Sequence, residues 1–179
     1  MATISFQTLK TNYPYPEKLN HDELFDELGW GKSLKEDPGL TNTCAIRMSY
    51  CLVQSGLNIR GGYKILKGPH KSKWIETSQK TLTKYIRNNL QAQLGTPQSF
   101  KKSEKNNFLL KKKKGLMSFM EIDGYQDTSG NPSGHIDLIW TEKDTTSIFG
   151  LELWSTTSEE CGTHCYWDQS KELLFWELK

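Results

Sequence analysis

The sequence predicts an α+β protein in which helices come first and an antiparallel sheet follows. Two observations carry this. In the first half, apolar residues recur at helical spacing, as in Leu82, Tyr85, Ile86, Leu90 and Leu94. From Gly115 onward they fall into short runs separated by turn residues such as Asp127-Thr128-Ser129-Gly130-Asn131-Pro132-Ser133. Helices and strands segregated along the chain favour an α+β layout over alternating βα units. A length of 179 residues suits one domain, so residues 1–179 are read as a single unit.

The elements follow in order. Ser5 to Glu27 reads as a helical start broken at Tyr13-Pro14-Tyr15-Pro16, with a second helix through Glu23 to Leu28. Gly29 and Gly31 bracket Trp30, and Pro38-Gly39 marks a turn. The run Leu40 to Val53 is helical, with N-cap residues Asn42 and Thr43 at its start and Gly56 at its stop. Within it Ala45, Met48 and Leu52 recur at helical spacing, which puts Cys44 in the first turn of a buried helix. Thr77 to Leu94 is an amphipathic helix. Strands are expected at Gly115–Ile122, Gly134–Trp140, Ser147–Trp154 and Glu172–Leu178.

Composition narrows the function. Hydrophobic residues make up 35%, so the six Trp, seven Tyr and seven Phe must supply much of the core. Net charge is +2, from 23 basic and 21 acidic residues, which gives no global field toward nucleic acid. The basic residues are uneven, with Lys101, Lys102, Lys105 and Lys111 to Lys114 crowded together. That patch reads either as a solvated loop leading into a strand or as a contact for an anionic polymer. Met1 to Lys10 has no charged start followed by an apolar run, so no secretory signal is expected. No window approaches the ~20 apolar residues of a membrane span.

Of the four cysteines, Cys44 and Cys51 are seven residues apart on one helix. That separates them by about 10 Å along its axis, too far for a disulfide, which needs Cα atoms within about 7 Å. Cys161 and Cys165 flank Gly162 in a turn-like stretch and can bridge in an oxidising compartment. Zinc held by Cys161, His164 and Cys165 is the rival, but it lacks a clear fourth ligand.

Cys44 is the candidate nucleophile. Unpaired N–H groups at a helix start favour a thiolate and can hold the oxyanion formed when an amide carbonyl is attacked. The competing reading is a small buried apolar residue. The candidate base is His135, which opens the strand Gly134-His135-Ile136-Asp137-Leu138-Ile139-Trp140, with Gly134 leaving room beside it. His21 and His70 lie in polar stretches, and His164 stands between two cysteines. A histidine leading a strand that faces a helix begun by cysteine is the arrangement of papain-like hydrolases.

The segment Asn42-Thr43-Cys44-Ala45-Ile46-Arg47-Met48-Ser49-Tyr50 resembles the nucleophile motif of type VI secretion amidase effectors, family four. Gly134-His135-Ile136-Asp137-Leu138 resembles their histidine strand, and Lys113-Lys114-Gly115-Leu116 the entry to the strand before it. The closing Leu-Phe-Trp-Glu-Leu resembles a terminal strand, and Cys161-x-x-x-Cys165 has the spacing of the family's disulfide pair.

The resemblance implies an NlpC-like papain fold and cleavage of the amide between D-glutamate and meso-diaminopimelate in the peptidoglycan stem peptide. It also implies delivery by the type VI machinery into the periplasm of a target bacterium, and a cognate immunity protein that blocks the cleft. No cofactor or metal is expected. The family's third catalytic group is an acid two residues past the first cysteine of the disulfide pair, a position held here by Thr163. Asp137 is the nearest acid to His135 and, two residues along a strand, shares its face. The expected site is therefore Cys44, His135 and Asp137, with Asp144, Glu152 and His164 as alternative orienters. Two other functions share parts of this pattern. One is a cysteine protease, deamidase or acyltransferase acting on protein; the other is a non-catalytic module that binds wall polymer or nucleic acid.

Overall fold

A computed structural model describes residues 4–101, 113–142, 145–148, 151–153 and 166–179. The first helix, α1 (Phe6–Asn12), begins where the Ser5 hydroxyl accepts from the Thr8 N–H, and it ends at Tyr13. Pro14 disfavours helical backbone at the residue before it, and Tyr13 is accordingly extended. Helix α2 (His21–Leu28) starts two residues before the sequence predicts, because Asn20 and Glu23 form a reciprocal capping box. Gly29 closes it in the left-handed conformation at φ 75°, which a side chain would resist. A short α3 (Lys32–Lys35) and a 3₁₀ turn (Pro38–Leu40) lead to α4 (Cys44–Gln54). Every residue of α4 from Cys44 to Val53 is buried, so this helix is surrounded by the fold.

A two-stranded hairpin, β1 (Tyr63–Lys64) and β2 (Trp74–Ile75), was not foreseen from the sequence; two-residue strands carry too little alternation to be read. Ser78 caps α5 (Gln79–Asn89), and α6 (Gln91–Leu94) continues it after a break at Leu90. The expected apolar stripe faces inward, with Leu82, Ile86, Leu90 and Leu94 all buried.

The remaining strands are β3 (Gln98–Lys101), β4 (Lys114–Ile122), β5 (His135–Glu142), β6 (Thr145–Ile148), β7 (Leu151–Leu153) and β8 (Ser170–Glu177), with α7 (Tyr166–Gln169) leading into the last. They form one antiparallel sheet in the order β3-β8-β4-β5-β6-β7. The expected strand Ser147–Trp154 is two strands instead. Ile148 pairs with Leu151, so the chain reverses between them. Strand alternation divides the core in two. Leu116, Ile136, Leu138, Leu174 and Trp176 join the helices in the main cluster, and Met117, Phe119, Ile139, Leu173 and Phe175 form a second.

One feature of the sheet positions the site. β6 pairs with β5 only from Ile139 onward, so among the described residues no strand covers that edge of β5 between His135 and Leu138. Helix α4 packs against β5.

Candidate active site

Cys44 is the first residue of α4, and its backbone N–H donates to Asn42 Oδ1 at 3.2 Å. Thr43 holds the N-cap position without a side-chain cap. Its hydroxyl instead accepts from Arg47 Nε at 3.0 Å, while Arg47 Nη1 donates to the carbonyls of Pro14 (2.6 Å) and Leu19 (2.7 Å). A buried guanidinium needs such partners, and here they bind the segment after α1 to the first turn of α4.

His135 opens β5. Gly134 before it has no room for a Cβ, which would lie 2.2 Å from the Phe119 carbonyl oxygen and 2.6 Å from Gln79 Oε1. This close approach of β4 and α5 fixes where the imidazole emerges. The ring stacks on Tyr166, with centroids 4.7 Å apart and planes 25° apart. Its Nε2 lies 2.9 Å from Asp137 Oδ2, and the ring is also hydrogen-bonded to the Cys44 thiol. With Nε2 committed to the carboxylate, Nδ1 is the nitrogen left for sulfur.

Asp137 has no solvent exposure. Its Oδ1 accepts from the Leu138 N–H at 2.9 Å, and its carboxyl also accepts a hydrogen bond from the Tyr13 hydroxyl. Burial pushes this carboxyl up to about 7, against the pull of His135, the Leu138 N–H and Tyr13. Burial lowers the basicity of His135, but hydrogen bonds to Asp137 and Cys44 outweigh it and hold the imidazole well above its ordinary value. The two groups titrate as a coupled unit. Chemically, an imidazole gripped between a thiol and a buried carboxylate can take the sulfur proton and keep it.

A cleft of about 640 Å³ opens onto Cys44. Asn42, Ser78, Gln79, Glu121, Tyr125 and Asp127 are among the residues that line it.

The structure thus brings Cys44, His135 and Asp137 together. Of the alternative orienters, Glu152 lies on β7, two strands away from β5 in the sheet. Asp144 and His164 lie outside the described residues, as do Thr163, Lys102 to Lys112 and the Cys161–Cys165 pair. Among the described residues, no group of His, Cys, Asp and Glu could hold a metal ion. Lys113, at the edge of the basic run, pairs with Glu177 at 2.8 Å. Sequence reasoning missed Tyr13 and Tyr166, which touch Asp137 and His135 from distant parts of the chain. Tyr13 gave a signal only as the residue before Pro14, which reads as a helix stop.

A cysteine opening a buried helix that packs against a strand opened by histidine is the plan of the papain-like fold in its NlpC-like form. The comparisons with known proteins sharpen this. The family described as "Type VI secretion system (T6SS), amidase effector protein 4" (Tae4) matches residues 40–176, and the chain belongs to that family. No curated protein matches it by sequence. Among solved structures it is similar to a chain of the Tae4/Tai4 effector–immunity system of Salmonella typhimurium, with TM-score 0.61, 19% identity and 98% of both chains covered. It is similar to a chain of the Enterobacter cloacae Tae4–Tai4 effector–immunity complex, with TM-score 0.60, 20% identity and 98% of both chains covered. E. cloacae Tae4 by itself matches at TM-score 0.61 and 19% identity over 100% of both chains. No helix among the described residues is long and apolar enough to cross a membrane.

Proposed function

We propose that this chain is an antibacterial amidase that hydrolyses the bond between D-glutamate and meso-diaminopimelate in peptidoglycan stem peptides, with Cys44 as nucleophile and His135 as base. The observation that carries the reading is the imidazole of His135, hydrogen-bonded to a fully buried Asp137 and to the thiol of Cys44, which itself lines an open cleft. Membership of an amidase effector family supports the class of bond.

In this mechanism His135 takes the Cys44 proton, and the sulfur attacks the amide carbonyl. Asp137 fixes the ring and stabilises the imidazolium. The oxyanion forms beside the first turn of α4, where the Cys44 N–H exchanges its 3.2 Å bond to Asn42 for one to a charged and stronger acceptor. His135 then protonates the leaving amine, and the carbon–nitrogen bond breaks to leave an acyl-enzyme. Water, deprotonated by His135, attacks the thioester and releases the carboxylate and the thiol.

The same family membership supports delivery by a type VI machine and action in the periplasm of a target cell. The Tai4-bound relatives support a cognate immunity protein as partner. The test is digestion of purified sacculi by wild type, Cys44→Ala and His135→Ala, with released muropeptides identified by mass. New D-glutamate carboxyl ends are expected from wild type alone. Equal release by either variant refutes the assignment.

A further inference from the structure

Tyr13 belongs to the stretch that ends α1, far from the site in sequence, yet its side chain is buried against it at 4% exposure. Its hydroxyl meets the Asp137 carboxyl, whose other contacts are His135 Nε2 and the Leu138 N–H. The Tyr13 backbone is not free to drift. Arg47, three residues after Cys44, holds the carbonyl of Pro14 at 2.6 Å and that of Leu19 at 2.7 Å. Cys51, a further turn along α4, donates to the Leu9 carbonyl of α1 at 3.3 Å. One helix therefore carries the nucleophile at its start and secures the segment that delivers Tyr13.

We infer that Tyr13 is a positioning residue for the proposed cysteine hydrolysis, acting on Cys44 and His135 through Asp137. The inference rests on the proposed roles of those three residues. The physical reason is the donor count of a buried carboxylate. A phenol facing a carboxylate can only donate, and donation favours the anion. Without the hydroxyl, Asp137 keeps His135 and one backbone N–H, while its burial is unchanged. The carboxyl then holds a proton to higher pH and loses the negative charge that sustains the imidazolium. With a weaker imidazolium, the sulfur becomes thiolate only at higher pH.

The test is the rate of iodoacetamide alkylation at Cys44 as a function of pH, followed on the Cys44 peptide by mass spectrometry. Wild type, Tyr13→Phe and Asp137→Asn are compared on the folded full-length chain. Phe keeps the ring and its packing, and an unchanged circular dichroism spectrum with cooperative thermal unfolding verifies that Tyr13→Phe is folded, at a midpoint expected to be lower for the lost hydrogen bond. The expected result is a midpoint moved up by about one pH unit in Tyr13→Phe, a roughly tenfold slower reaction on the acid side. A larger displacement is expected in Asp137→Asn. In sacculus digestion, Tyr13→Phe is expected to lower kcat with KM little changed.

An unmoved Tyr13→Phe profile beside a displaced Asp137→Asn profile overturns the inference and leaves the triad standing. Unmoved profiles in both variants overturn the inference together with the role of Asp137. A displaced Tyr13→Phe profile without sacculus cleavage by wild type sustains Tyr13 and refutes only the substrate.

Discussion

Asp137 lies two residues beyond His135 on the same strand, and its Oδ2 meets the imidazole Nε2 at 2.9 Å. A strand turns alternate side chains to one face, so this pairing needs no distant partner for the carboxylate. Replacing Asp137 by Asn keeps the shape but removes the charge that stabilises imidazolium. We expect kcat on sacculi to fall by roughly 10²–10⁴-fold, less than in Cys44→Ala or His135→Ala. An unchanged rate moves the orienting role elsewhere.

The same pair sets a pH dependence of stability. Asp137 is raised to about 7 in the fold, so between about 4 and 7 the native state binds protons that the unfolded chain has released. His135 is raised too, so it does the same from about 6.5 upward. Both contributions stabilise most at low pH and are lost as pH rises through the folded values. The lowered carboxyls of Asp26 and Asp127 are exposed and that of Glu121 is half-buried, and their opposite effect belongs below about pH 4. Thermal midpoints are therefore expected to fall from pH 5 to pH 8, and the slope should flatten in Asp137→Asn. Equal slopes would refute the linkage.

Gly134→Ala places a methyl group against the Phe119 carbonyl and Gln79. Neither can withdraw easily, since Phe119 pairs with His135 across the β4–β5 ladder and Gln79 is held to Ser118 at 2.6 Å. We expect a loss of about 1–3 kcal/mol in urea denaturation, with activity reduced as the imidazole shifts. A fully active, equally stable variant would show that the backbone yields.

Arg47→Met leaves two backbone carbonyls and the Thr43 hydroxyl without their charged donor. A destabilisation of about 3 kcal/mol is expected from equilibrium unfolding. A loss below about 0.5 kcal/mol would mean that water replaces the guanidinium.

The two described cysteines should differ in reactivity. Cys51 is fully buried, donates to the Leu9 carbonyl, and has its thiol pushed up by burial. Native alkylation should modify Cys44 and spare Cys51 until the protein is unfolded. Modification of both at similar rates would show that α1 opens readily.

Much of this was legible before folding. Asn42, Thr43 and the Ala45–Met48–Leu52 spacing announce a helix starting at Cys44, because capping and periodicity are local. The sequence likewise shows Gly134-His135 opening a strand, and the i, i+2 relation that puts Asp137 beside His135. Other features were hidden by the range over which they act. The helix expected over Thr77–Leu94 breaks at Leu90, and Ser147–Trp154 divides into β6 and β7, since apolar spacing alone does not register a reversal of the chain. Tyr166 reaches His135 only because the chain returns to β4 as β8, and no local pattern encodes such a return.

The sequence by itself determined which side chains are chemically capable, and in which element each begins: the sulfur at a helix start, the imidazole and carboxylate alternating along a strand. The tertiary structure decided that they meet. β6 pairs with β5 only beyond Leu138, α4 packs against that strand, and Arg47 ties down the segment that presents Tyr13 to Asp137. Capping and periodicity act over a few residues, whereas packing and burial join Cys44 to His135, 91 positions apart, and Tyr13 to Asp137, 124 apart, and only the folded chain can satisfy them.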